Sequence, residues 1–196
     1  MYTVLERLGA AMQPFIGDGL DLRLNLGCGR QQWPDWTNID RIPAPGVDLV
    51  LDLESFRFPY ADASVSCILA CHVLEHIRDL MPMMEECHRV LKPGARLIAI
   101  TPYMGSDDAW EDPTHVRAFS EHSWMYFDQR TYQGTGHAGC YDAGVHFSFE
   151  VEFLHLVPMP DWIEAAKVST NNLELERRRY RNVIQEMRTV LRKVAV

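Results

Sequence analysis

Two short runs confine the fold of this chain more than anything else in it. "SVSCILAC" (residues 64–71) and "ARLIAITP" (95–102) are apolar at successive positions rather than at alternate ones. A strand that reads this way is buried on both faces. Between the runs, Leu80, Met83, Met84, Cys87, Val90 and Leu91 recur at helical spacing. Asp79 and Pro82 open that helix, and "KPG" (92–94) is expected to close it. A doubly buried strand, a helix and a second such strand make a parallel crossover, which implies a mainly parallel sheet covered on both faces.

The remainder of the chain extends the pattern. Residues 3–12 carry apolar side chains three and four apart and predict an amphipathic helix. "LRLNL" (22–26) predicts a strand that stops at the tight turn "GCG". "TNID" (37–40) and "VDLVLDL" (47–53) predict two more strands with acids along them. Residues 103–128 are long, aromatic and polar, as a functional loop would be. "VHFSFEVEFLHLV" (145–157) alternates and predicts an antiparallel edge strand. From Tyr180 to Val194 the apolar residues fit a helical stripe, with a strand after a shorter helix as the rival reading.

At 196 residues and 47% apolar, the chain suits one globular domain, 1–196, with a core at 20–102, a substrate or lid region at 103–144 and a C-terminal strand-helix-strand at 145–196. No apolar run is long enough for a membrane span, and the first residues lack the form of a signal peptide, so a cytoplasmic location and no membrane partner are expected. Five cysteines, none in a Cys-x-x-Cys pair, are expected to be buried free thiols. The net charge of −8 argues against a nucleic-acid partner, and the one basic cluster, "ERRRYR", reads as a solvated helix face. A small-molecule substrate is the expectation.

The first strand runs into Gly27-Cys28-Gly29, where the backbone can turn sharply against a ligand. Asp40 ends the next strand, where a carboxylate can accept both hydroxyls of a ribose. A nicotinamide enzyme would show a third glycine three residues after the second, where this chain has Gln32, and an acid farther along than Asp40. The spacing favours a nucleoside without phosphates.

Taken in order, "LGCG", "NID", "LDL", "ILACHVLEHI" and "EECHRVLKPGARLIAITP" resemble class I S-adenosylmethionine-dependent methyltransferases over about residues 20–102, and "DPTHVRAF" resembles a loop in a subset of small bacterial ones of the type 11-like group. The resemblance implies a three-layer, Rossmann-like α/β sheet, mainly parallel with an antiparallel C-terminal strand or hairpin, and draws residues 186–195 toward a strand. It implies S-adenosyl-L-methionine as cofactor. By resemblance, Asn25, Gly27, Cys28 and Gly29 would border its methionine part. Asp40 would hold the ribose, with Ile39 and Arg41 beside the adenine. Asp52 and Leu53 would lie at the adenine edge, and Cys71 and His72 beside the sulfonium. Methyl transfer to oxygen or nitrogen of a small molecule or sugar-like metabolite follows, with oligomeric state open.

Within the same stretch, His72-x-x-Glu75-His76 also has the form of an inverted zinc-hydrolase motif. That reading needs both imidazoles on one face of a stable helix. The motif instead follows a buried strand directly, so the metal-free reading is preferred, with Val73 and Leu74 packed inward and Glu75 and His76 bonded nearby. In the loop after residue 102, His115 and Asp112 are the expected catalytic residues, with Glu111 as an alternative to Asp112. Tyr103 and Arg117 are the expected substrate contacts, Arg117 having Asp108 or Glu121 as rival partners. Trp110, Phe119, Trp124, Tyr126 and Phe127 form either a lid or a satellite core, and "GTGHAGCYDAG" (134–144) could gate access. Rival readings are a non-catalytic cofactor-binding module, a zinc hydrolase and a nicotinamide enzyme.

Overall fold

The computed structural model describes residues 12–16, 21–134, 146–166 and 173–195. Seven strands form one sheet: β1 (Arg23–Leu26), β2 (Thr37–Asp40), β3 (Leu49–Val50), β4 (Val65–Cys71), β5 (Leu91–Pro102), β6 (Ser148–Pro158) and β7 (Ile184–Val194). Their spatial order is β3-β2-β1-β4-β5-β7-β6. The first five are parallel, β7 runs antiparallel to β5, and β6 runs antiparallel to β7. The order reverses between β1 and β4, and in open parallel sheets that switch point is where a crevice forms at the strands' carboxyl ends.

The continuous apolar reading of β4 has the expected cause. Ile68 and Ala70 face one core cluster, while Cys67 and Leu69 face the other. The first cluster is roofed by α1 (Leu80–Val90), whose Met83, Met84, Cys87 and Val90 are fully buried. Burying Met83, Met84 and Val90 stabilises this layer by roughly 1.5–3 kcal/mol each. The opposite face is covered by Met12, Ile16, Trp33 and Trp36 rather than by a long helix among the described residues.

Several expectations need correction. The helix ends at Val90 and strand β5 begins at once, so Lys92–Gly94 lie inside the strand rather than beyond the helix. They sit where the pairing with β4 slips between Val65 and Cys67, and Gly94 takes φ +76. The strand expected over 47–53 is reduced to Leu49–Val50. It is an edge strand whose flanking acids cap local turns: Asp48 Oδ2 accepts from Asn38 N at 2.8 Å, and Asp52 Oδ1 accepts from Glu54 N at 3.0 Å.

The helical stripe over Tyr180–Val194 is overturned, and the strand drawn from the resemblance is what forms. A short helix, α2 (Leu173–Arg179), precedes β7. Because β7 lies inside the sheet, apolar residues are buried on both of its faces, with Val190 among the half-buried Glu186, Arg188 and Arg192 on one and Met187 and Leu191 on the other. Period-two alternation disappears, and the accidental spacing of the apolar residues imitates a helix. The edge strand β6 forms as expected, with a register shift between Val151 and Phe153. Cys28, Cys67 and Cys87 are buried free thiols, while Cys71 is half-buried. The expected helix over 3–12 and the gate over 134–144 lie outside the described residues, except for Met12 and Gly134. No helix among the described residues is long and apolar enough to cross a membrane.

Candidate active site

At the switch point, the tips of β1 and β2 are tied together by hydrogen bonds. Cys28 N donates to Ile39 O at 3.0 Å, and Gly29 N donates to Asp40 Oδ2 at 2.8 Å. Ile42 N donates to the other oxygen, Asp40 Oδ1, at 2.9 Å. The carboxylate is thereby held in place, and each oxygen keeps lone-pair capacity for a further donor. Gly27 makes the turn at φ +58, and a Cβ there would lie 2.4 Å from Val73 Cγ2. Only glycine lets Val73 close against the turn.

A cleft of about 510 Å³ opens in front of these tips. Its wall takes Asp40, Arg41, Asp52, Leu53 and Glu54 from the β2 and β3 side, Gly27, His72 and Val73 from the tips of β1 and β4, and His76, Arg78, Pro113, Thr114 and Val116 from the segments after β4 and β5, with Arg78 N donating to Glu54 Oε1 at 2.7 Å. The last part of the wall exists because the loop after β5 folds back on the segment after β4. Val116 N donates to Glu75 O at 2.9 Å, and Arg117 Nη2 donates to Arg78 O at 2.5 Å.

His72 sits in the left-handed region, φ +53, which turns its ring toward two carboxylates. Its Nδ1 is 3.4 Å from Glu75 Oε1 and its Nε2 is 3.4 Å from Glu186 Oε2. Burial alone would lower its pKa, but the facing carboxylates of Glu186 and Glu75 outweigh burial and raise it to about 9. His72 is therefore an imidazolium near neutral pH and cannot serve as a general base there.

His76 is placed differently. Its Nδ1 lies 2.9 Å from Thr114 Oγ1, and that hydroxyl donates to Asp112 Oδ1 at 2.6 Å. The single hydroxyl proton goes to the carboxylate, so Thr114 Oγ1 accepts from His76 Nδ1–H, which leaves Nε2 as the nitrogen with a free lone pair. The Thr114 hydrogen bonds hold Asp112 below the usual carboxylate range.

The expected site residues divide accordingly. Gly27, Asp40, Arg41, Asp52, Leu53 and His72 come together on the cleft wall. Asn25, Cys28 and Ile39 are buried behind it, Asn25 bonding Gln31 O and Asn38 Oδ1. Burial first, with Asp40 adding to it, raises the Cys28 thiol to about 11, so it stays protonated. Gly29 acts through its amide on Asp40, and Cys71 is the half-buried last residue of β4.

The loop residues depart further from expectation. His115 is off the cleft wall, and its Nδ1 must donate to Ala109 O at 3.2 Å because a carbonyl only accepts. Tyr103 is buried, with its hydroxyl accepting from Arg177 Nη1 at 2.9 Å. Arg117 meets neither of its expected acids, since Asp108 accepts from Gln185 and Glu121 pairs with Arg177. Of the aromatics, Phe119, Trp124 and Phe127 are core, with Phe119 and Trp124 stacked at 4.9 Å, while Trp110 and Tyr126 are exposed. The motif His72-x-x-Glu75-His76 is not helical: Leu74–His76 is a single 3-10 turn, so its two imidazoles do not share a helix face. Val73 and Leu74 are buried as expected, but the Glu75 carboxylate finds no hydrogen-bond partner, contrary to expectation. His76 and Thr114 were missed as a pair because their link spans 38 residues and neither motif contains both.

A family profile described as a methyltransferase domain matches residues 36–99. The fold superposes on a SAM-dependent methyltransferase from Archaeoglobus fulgidus with TM-score 0.65, at 14% identity, covering 96% of this chain and 94% of the other. The chain has the class I S-adenosylmethionine-dependent methyltransferase fold. A second structure sharing this methyltransferase fold is the Burkholderia thailandensis 1,6-didemethyltoxoflavin-N1-methyltransferase with bound S-adenosylhomocysteine, at TM-score 0.52, 14% identity and coverage of 88% and 71%. A third is the [4+2]-cyclase SpnF, at TM-score 0.56, 17% identity and coverage of 94% and 78%. No curated protein matches the chain by sequence. The profile match and these neighbours support an enzyme with S-adenosylmethionine as cofactor.

The cleft's chemistry suits that cofactor. Asp40 offers acceptor capacity to a diol, and the cleft wall sets the carboxylates of Asp40, Asp52 and Glu54 beside the guanidiniums of Arg41 and Arg78. The His72 imidazolium supplies one positive group for a carboxylate.

Proposed function

We propose that this protein transfers a methyl group from S-adenosylmethionine to an oxygen or nitrogen of a small or sugar-like molecule bound at the His76 side of the cleft. The carrying observation is the joined tips of β1 and β2, where Asp40 is fixed by the amides of Gly29 and Ile42 at the edge of the cleft. When bound, the cofactor supplies an electrophilic methyl on a positive sulfur. Asp40 accepts from the ribose hydroxyls, Leu53 and Arg41 flank the adenine, and His72 meets the methionine carboxylate. Gly27 lets Val73 pack close beneath the reacting carbon. The residues hold donor and acceptor in line, and such alignment can remove several kcal/mol from the barrier.

The acceptor end is defined by His76, Thr114 and Pro113. Activation of the acceptor is assigned to His76 Nε2, the free lone pair at that end, rather than to His115. Thr114 and Asp112 orient the His76 ring. The test is binding followed by turnover. S-adenosylhomocysteine should bind at one equivalent while NAD does not, and a panel of hydroxylated metabolites should yield labelled product from methyl-labelled cofactor. Binding of NAD in preference to S-adenosylhomocysteine would refute the reading. Binding without turnover on any panel member would favour the cofactor-binding module, for which SpnF shows that the fold does not fix the reaction.

A further inference from the structure

One buried carboxylate behind the acceptor end shares its cationic partner, His72, with Glu186 and makes no hydrogen bond. Glu75 is 1% exposed, and neither carboxylate oxygen makes a hydrogen bond. Its nearest cation, His72 Nδ1, stands 3.4 Å from Oε1. A buried carboxylate left this way is costly, and in proteins it is normally paired or bound to a cation.

Two imidazoles converge on the same carboxylate. Glu75, His76 and His115 each bring one ligating atom within 4.8 Å of the other two. The two rings approach edge to face, with centroids 4.7 Å apart. Both have Nδ1 engaged in a hydrogen bond, and His115 Nε2 lies 3.9 Å from Asp112 Oδ2. His76 Nδ1–H is taken by Thr114 Oγ1 and through it by Asp112, and His115 Nδ1–H is taken by Ala109 O. Each ring thus keeps Nε2 as its unprotonated nitrogen. An imidazole fixed by a carbonyl or carboxylate on one nitrogen, with the other left free, is the arrangement found at metal sites.

We infer that Glu75, His76 and His115 form a binding site for a divalent first-row transition ion at the acceptor end of the cleft. Two imidazoles and one carboxylate suit zinc, cobalt or iron(II) better than magnesium or calcium. Ligand atoms around a tetrahedral zinc are roughly 3.4 Å apart, so the three groups need to close by about an ångström. His76 and Thr114 line the cleft, so the remaining coordination positions face it. There the ion would act as a Lewis acid on an acceptor hydroxyl, which specifies how His76 activates the acceptor. The site differs from the hydrolase motif of the sequence because His72 is replaced by His115, brought from 39 residues downstream.

The inference deepens the proposed acceptor chemistry, but its test does not depend on methyl transfer. Chelator-treated protein is titrated with Co2+ and Zn2+, following visible d–d absorption for cobalt and heat for zinc. One equivalent should bind, with X-ray absorption reporting two imidazole nitrogens. His115→Ala and Glu75→Gln should weaken Zn2+ binding about 100-fold or more, and Asp112→Asn about tenfold, while His155→Ala on strand β6 changes nothing. The absence of stoichiometric binding by the unmutated protein, or His115→Ala retaining its affinity, overturns the site. X-ray absorption on the unmutated protein decides the matter even if a variant fails to fold, since a spectrum without imidazole ligands also overturns it. S-adenosylhomocysteine binding is measured on the chelated protein. Its presence without metal binding sinks the metal site alone, and metal binding without it sinks the methyl-transfer reading alone.

Discussion

Replacing Asp40 by Ala tests the cofactor end most directly. In the folded protein its carboxylate already accepts from two amides, so the side chain is positioned before any ligand arrives. A ribose diol would add two hydrogen bonds to a charged acceptor, each contributing about 1.5–3 kcal/mol. Losing both at the lower figure weakens S-adenosylhomocysteine about 150-fold. At a ligand concentration 100 times the unmutated dissociation constant, the stabilisation of about 2.7 kcal/mol falls to about 0.3 kcal/mol. For a chain of this size that turns a melting shift of about 5–11 °C into one of about 1 °C or less. Each shift is measured against the ligand-free form of the same variant, because freeing the Gly29 and Ile42 amides lowers the baseline as well. Asp40→Asn should fall between the two, since its amide still offers one oxygen. A ligand-induced shift in Asp40→Ala equal to that of the unmutated protein would refute the ribose assignment.

Gly27→Ala and Gly29→Ala separate close packing from backbone strain. Both have positive φ, but only Gly27 has Val73 Cγ2 in the way, so chemical denaturation should show the larger loss for Gly27→Ala, about 2–4 kcal/mol against about 1 for Gly29→Ala. Arg89→Ala should cost about 3–5 kcal/mol in the same assay. It strands Glu86, which is 5% exposed and otherwise bonded only to the Phe58 amide. Glu152 has its pKa lowered mainly by its hydrogen bond to Arg96, so the pair's stabilisation is present above the ordinary carboxylate value of about 4.5. It is lost as pH falls through the lowered folded value. Acid melts of Glu152→Gln should be flatter with pH by an amount below about 1 kcal/mol, and an unchanged slope would remove the pair from the acid response.

What the sequence disclosed follows from which forces act locally. Strands β1, β2 and β4 were legible because their burial on both faces and their glycine or acidic ends are written in consecutive residues. The fold class and the pairing of Gly27 with Asp40 came from the same local signals, while Asp52 and His72 were assigned through the resemblance. Strand β7 was not legible from periodicity, because its internal position removed alternation, and the resemblance alone pointed to it. The acceptor end was half legible: Asp112 and His115 stood out as residue types, but the hydrogen bond that ties His76 to Thr114 spans 38 residues. Arg89 and Glu86 lie three apart on α1 and form a largely buried pair. Their burial depends on the loop at Phe58–Asp62 folding over them.

The placement of β7 between β5 and β6 has a consequence for synthesis. The loop that completes the cleft is pinned from β7 and the residues just before it: Tyr103 N donates to Gln185 O, and Asp107 is held by Arg181 and Asn182. These anchors leave the ribosome after every residue that touches the proposed cofactor. Until they emerge, β5 carries a bare hydrogen-bonding edge and the acceptor loop is held only by its contacts to the segment after β4. A nascent chain could therefore grip its nucleoside well before it could shape a place for the molecule to be modified.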